Sequence, residues 1–162
     1  TRTGKVGVIG TRGTVRSAAY PAALGALSPG IEVFQRACPL LVPLAEEGWT
    51  AGRVPRDVVR TYLSAFAETQ IDTLVLGCTH YPLLRSVIEI IAAEEVGGPV
   101  AVLDSAVATA EELAVVLARA GILAAEGQTH HKFLVTDDSE SFQGTCDRFF
   151  GAPVGRVEHV DL

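Results

Sequence analysis

The chain reads as short apolar runs set between longer amphipathic stretches. Lys5 to Ile9, Ile31 to Gln35, Thr73 to Gly77, Val100 to Leu103, His131 to Val135 and Val154 to Val160 have the length and side-chain character of strands. The third lies in a short apolar run, Ile71-Asp72-Thr73-Leu74-Val75-Leu76, as a strand covered on both faces should. Between the strands the period lengthens. In Pro55 to Glu68, Val58, Val59, Tyr62, Leu63 and Phe66 fall on one side at helical spacing. In Pro82 to Glu95, Leu83, Leu84, Val87, Ile88, Ile90 and Ile91 cover more than one face, which implies deep burial. Gly13 to Leu27 reads as a helix kinked or broken by Pro21 or Gly25. Pro43 to Glu47 has room for one helical turn, and Thr109 to Ala120 for a helix stopped by Gly121. Asp137 with Glu140 suggests an N-cap and capping box for a helix over Ser139 to Phe150. Strands alternating with helices predict an α/β fold, a mostly parallel sheet with helices on both faces.

Composition narrows the partners more than the fold. The 162 residues suffice for one good core or two small interdependent lobes. Although 48% of them are hydrophobic, charged residues or glycine interrupt every apolar stretch too soon for a membrane span. No basic segment followed by an apolar core marks a signal peptide. A net charge of -6 argues against nucleic acid as a partner, and a small anionic ligand would need a local positive site such as a helix N-terminus. Three cysteines without paired spacing argue for a reducing compartment and no disulfide framework. The nearest approach to a zinc pattern, Cys78-x-His80, lacks partners in the sequence, so no metal is expected.

The chemistry concentrates in Leu76-Gly77-Cys78-Thr79-His80-Tyr81-Pro82-Leu83-Leu84, where a thiol, a hydroxyl and an imidazole meet as a buried strand gives way to a helix. Ligands of open α/β sheets bind at the carboxyl ends of strands. Free N–H groups at a helix N-terminus favour anions and lower a thiol's pKa. A lone Cys in an apolar chain is ordinarily a small buried hydrophobe. Thr79 and His80, polar and directly after a buried strand, are poorly placed for packing alone. Thr11 and Thr14 follow the first strand and offer hydroxyls and loop N–H groups to a carboxylate, unless Thr14 is simply a helix cap. Alone, Glu46 would be a solvated carboxylate, Cys38 and Cys146 packed thiols, and His130 and His131 edge or surface residues.

The Cys78 segment resembles the C-terminal signature of the cofactor-independent aspartate/glutamate racemase family. Three further blocks agree in order and approximate spacing: Gly7-Val8-Ile9-Gly10-Thr11-Arg12-Gly13-Thr14-Val15 with Ser17 and Tyr20, Ala37-Cys38-Pro39 through Gly48, and Val102-Leu103-Asp104-Ser105-Ala106. Together they cover most of residues 5 to 112 and match the glutamate-specific branch better than aspartate or hydantoin racemases. The resemblance implies interconversion of L- and D-glutamate without a cofactor, in the cytoplasm, supplying D-glutamate to peptidoglycan. It implies catalytic roles for Cys78, His80 and Glu46, with Thr11, Thr14, Thr79 and His80 holding the substrate. It also implies a two-lobed enzyme with two cysteines. The first of these lies in an Ala-Cys-Asn-Thr-like segment that this sequence lacks. On that reading residues 1–104 form the lobe with the second cysteine, and residues 105–162 complete a lobe whose N-terminal half is missing. Partners would be glutamate, that missing half and, through exposed apolar surface, a second copy in a homodimer. The chain alone would then be inactive or weakly active, or a non-catalytic ligand-binding fragment; another amino-acid racemase is the nearest alternative activity. A nucleotide-binding module lacks both G-x-G-x-x-G and G-x-x-x-x-G-K-[ST] here. A cysteine phosphatase would carry arginine where Leu84 stands.

Overall fold

The computed structural model describes residues 1–124, 131–137 and 139–161. Strands and helices alternate as the hydrophobic pattern predicts: β1 (Lys5–Gly10), α1 (Arg12–Ser17), α2 (Ala19–Leu27), β2 (Glu32–Ala37), α3 (Leu41–Glu46), α4 (Arg53–Leu63), β3 (Thr73–Gly77), α5 (Arg85–Val96), β4 (Ala101–Asp104), α6 (Ser105–Arg119), β5 (Phe133–Val135), α7 (Ser139–Phe150) and β6 (Val157–His159). Contacts divide the chain into Thr1–Ala108 and Thr109–Leu162.

In the first unit all strands run parallel in the order β2-β1-β3-β4. Alternation along β1 and β3 separates two faces. Ile9, Leu74 and Leu76 join the main core with Val59 and Leu63 of α4 and Ile88, Ile91 and Ala92 of α5. Val6 and Val8 are equally buried but point the other way, on the side where α1 packs against β1 and β2. The carboxylate of Asp72, just before β3, ties down the segment leading into β1. It accepts from Thr1 Oγ1 at 2.5 Å, Arg2 N at 2.6 Å and Thr3 N at 2.9 Å. Those hydrogen bonds, first that from Thr1, hold the Asp72 carboxyl well below the usual carboxylate range.

The second unit pairs β5 with β6 in parallel. Phe133 meets Phe150 of α7 edge-on at 5.6 Å, and Cys146 and Val157 are buried. His131 is exposed, while His130 lies outside the described residues, as does position 138, between the expected cap Asp137 and α7.

Two expectations about helices need correction. The first helix breaks at Ala18, not at Pro21 or Gly25. Pro21 occupies the third position of α2, where an N–H has no partner within the helix anyway. Ala18 adopts a left-handed conformation (φ 51°), and Ser17 brackets it: its hydroxyl donates to Thr14 O at 2.7 Å and accepts from Ala19 N at 3.3 Å. Left-handed alanine is strained. Ala18→Gly is therefore expected to raise stability by about 0.5–1 kcal/mol in urea unfolding, after allowing for glycine's freer unfolded chain.

The second correction concerns Pro82. The segment Tyr81–Leu84 is a 3-10 turn, and the α-helix begins only at Arg85. Pro82 has no N–H to donate to Cys78 O, so Tyr81 N donates there instead at 3.3 Å, the tighter 3-10 spacing. Cys78 thus precedes a 3-10 turn rather than an α-helix N-terminus.

Candidate active site at the carboxyl ends of β1 and β3

Adjacent parallel strands deliver the two candidate loops to one place. Gly10 and Gly77 end β1 and β3 as register partners. Neither tolerates a side chain: a methyl on Gly10 would lie 2.9 Å from Thr14 Cγ2, and one on Gly77 would lie 2.9 Å from Tyr20 Cε2. Their bareness lets the threonine loop close over the end of β3. Thr11 is the N-cap of α1, accepting from Thr14 N at 3.2 Å, so the cap is Thr11 and not Thr14. Thr14 Oγ1 donates to Gly77 O at 3.4 Å and lies 3.0 Å from Thr11 Oγ1. With Thr14's proton committed to Gly77, Thr11 donates to Thr14, and a hydroxyl chain runs from β1's loop to the residue before Cys78.

On the β3 side, Cys78 is half-buried and Thr79 is exposed, with Thr79 Oγ1 3.5 Å from His80 Nδ1. His80 Nε2 lies 3.4 Å from Glu46 Oε1 at the last residue of α3. Both remain water-accessible, His80 at 28% and Glu46 at 50% of side-chain surface, so the pair orients the imidazole more than it stabilises the fold. One nitrogen of His80 faces the carboxylate and the other faces the Thr79 hydroxyl, the arrangement that fixes a tautomer.

A buried contact that sequence reasoning missed sets the position of α3's loop. The Tyr81 hydroxyl, wholly inside the core, donates to Cys38 O at 2.9 Å. It ties the residue after His80 to the segment that carries Glu46. Burial raises the Tyr81 hydroxyl pKa and pushes the Cys38 thiol up to about 12. Burial likewise raises Cys146. A second missed group is Arg85, at the start of α5. It binds Val102 O at 2.7 Å and the Asp104 carboxylate, which also accepts from Ala106 N at 2.8 Å. The backbone N–H of Ala106, then Arg85, hold Asp104 below the usual carboxylate range. Neither contact has a local sequence signal, because each joins residues from different elements.

All three cysteines are free thiols. Only Cys78 is both accessible and outside the hydrophobic core proper. Alkylation of the native chain at pH 8 is therefore expected to label Cys78 alone, with Cys38 and Cys146 reacting only in denaturant; peptide mapping by mass spectrometry reads this directly.

A family model for Asp/Glu/Hydantoin racemase matches residues 1–113. The chain belongs to this racemase family. Every site residue above lies inside the matched span. The whole chain aligns with 59% of the glutamate racemase of Geobacter metallireducens at 48% identity. Among solved structures, the glutamate racemase of Francisella tularensis, in complex with D-glutamate, superposes on 98% of the chain with a TM-score of 0.87 at 31% identity. A glutamate racemase isoform of Bacillus anthracis superposes on all of it with a TM-score of 0.85 at 38% identity. These matches cover 58% and 59% of those chains, so the present chain spans about three-fifths of its relatives' length.

Proposed function

We propose that this chain is the larger part of a glutamate racemase, interconverting L- and D-glutamate without a cofactor. The observation that carries the reading is the convergence of the Thr11–Thr14 hydroxyl chain and the Cys78-Thr79-His80 loop on one strand end, with Glu46 orienting His80. Racemisation removes the proton from the carbon beside the carboxylate on one face and returns one to the other face. A thiolate abstracts it, an opposing thiol supplies its replacement, and no electrons leave the substrate. Positioned proton-transfer groups of this kind contribute typically about 10²–10⁴-fold each.

Cys78 is the acid/base on one face in this proposal. His80 assists it once its hydrogen bond to Thr79 turns toward the thiol, and Glu46 sets the imidazole. Thr11, Thr14 and Thr79, together with His80, hold the glutamate, the Thr11 hydroxyl turning its proton from Thr14 to the substrate carboxylate. The opposing cysteine belongs to the remainder of the enzyme. Residues 1–104 form the lobe of Cys78, and residues 105–162 complete the other lobe. Exposed apolar side chains on α6, Val107 at 66%, Leu113 at 54% and Val116 at 49%, support a covering partner, either that remainder or a second copy in a homodimer. D-Glutamate of this origin feeds peptidoglycan synthesis in the cytoplasm, a compartment that three free thiols suit.

The test is D-glutamate formation from L-glutamate by the chain alone and after mixing with the portion of the Geobacter metallireducens relative that it does not match. Silence alone and turnover on mixing is the expected result. Turnover by the chain alone, abolished by Cys78→Ala, would place the second acid/base within this sequence and sink the split-pair account.

A further inference from the structure

Tyr20 enters the site from a third element. It is the second residue of α2, immediately after the left-handed turn at Ala18. The atom that approaches Gly77 is Cε2, which is bonded to the hydroxyl-bearing ring carbon. The phenol end of the side chain, rather than its root, is therefore laid against the strand. The same spot is closed by Ile9 O, 3.0 Å from a methyl placed on Gly77, and by Thr14 Cγ2 at 3.4 Å. Gly77 is thus enclosed by β1, α1 and α2 together. Its carbonyl is held by Thr14, and the next residue is Cys78. The Ser17-bracketed break gives the chain the sharp turn that brings Tyr20 back over the sheet.

We propose that Tyr20 is a positioning residue: its phenol end, seated on Gly77, fixes the backbone from which Cys78 projects. The inference rests on reading Cys78 as the working thiol, but it concerns the loop and not the substrate. A ring packed against a peptide restricts the local opening that would expose the following side chain. The ring face and edge do this, and the hydroxyl is not required.

The experiment is the rate of Cys78 alkylation by iodoacetamide in the native chain at pH 8, with protection of Cys38 as the internal control for folding. It needs no glutamate, so its outcome is separate from that of the racemase assay. Tyr20→Ala is expected to speed Cys78 labelling by about three- to tenfold while Cys38 stays protected. Tyr20→Phe is expected to restore the wild-type rate, a rescue that a role for the hydroxyl would not allow. Should Tyr20→Ala lose Cys38 protection, Tyr20→Leu carries the same expectation with more of the volume kept. An unchanged rate in the alanine variant would overturn the proposal. So would a phenylalanine variant as fast as alanine, or loss of Cys38 protection in both smaller variants, since the ring would then hold the sheet as a whole rather than one loop.

Discussion

Under the proposed function, Cys78→Ala, in the chain mixed with the portion of the Geobacter metallireducens relative that it does not match, is expected to lower L-to-D turnover by about 10²–10⁴-fold, with the reverse direction suppressed as well. The size follows from what is removed. In the proposed mechanism the thiol transfers the proton on one face of the substrate, and alanine offers neither a base nor an acid there. Stability should change little, because Cys78 is half-buried and its replacement loses one sulfur without orphaning a buried polar atom. A progress curve in D-glutamate checks the rate, and an unchanged unfolding midpoint checks that the fold is intact. Cys78→Ser separates two explanations, since the hydroxyl keeps the volume and hydrogen bonding but is far too weak an acid to replace a thiol. If serine retained most of the activity, Cys78 would be a binding group and the proton would travel by another route. A companion substitution, Cys38→Ala, should leave turnover largely intact, because burial keeps that thiol protonated to about pH 12.

The largest effect on stability is expected at Tyr81. Tyr81→Ala removes a fully buried aromatic ring from the centre of the main core, which costs about 3–5 kcal/mol by the usual behaviour of large-to-small core substitutions. It also leaves Cys38 O without the hydroxyl that it accepts from, a further cost of about 1–3 kcal/mol where water cannot enter. Against the total stability typical of a small domain, a loss of that size leaves little folded protein at 37 °C. Tyr81→Phe isolates the hydrogen bond: the ring remains and only the second cost applies. The two variants compared by urea unfolding therefore split packing from hydrogen bonding. Equal midpoints for phenylalanine and wild type would mean that Cys38 O has found water and that the tie between the loops is not what holds them.

Most of the framework was readable from periodicity because burial on two faces leaves a plain record. Thr73–Gly77 and Ser139–Phe150 have the boundaries that their apolar runs and flanking residues predict. The discontinuity at Ala18 was not readable, because nothing about alanine signals a left-handed backbone. Ser17, which brackets it, looks in sequence like any polar helix residue. The stretch after Cys78 reads as α-helix from Pro82 onward, since proline at a helix start is common. Its missing N–H instead redirects the hydrogen bond to Tyr81 and tightens the turn. At the site, Cys78, Thr79 and His80 stood out by their own chemistry. Glu46 emerged only through resemblance to a family, because a carboxylate at the end of a short helix is indistinguishable from a solvated one until its imidazole neighbour is seen. Tyr20, Tyr81 and Arg85 act through contacts between distant elements, which no local pattern encodes.

The all-parallel sheet also dictates an order of assembly. β1 finds β2 across one short crossover, Lys5 against Glu32, but must wait for Thr73 before its other side is filled. Pairings between remote segments form late, since a long loop must close first. During synthesis the threonine loop is consequently in place before its counterpart exists, and the reactive thiol arrives with the last strand to enter the middle of the sheet. A nascent or partly refolded chain therefore carries Cys38, synthesised before Tyr81 and the β3 residues that bury it, unsheltered until they arrive, which makes oxidation in the half-made state a chemical hazard specific to this topology.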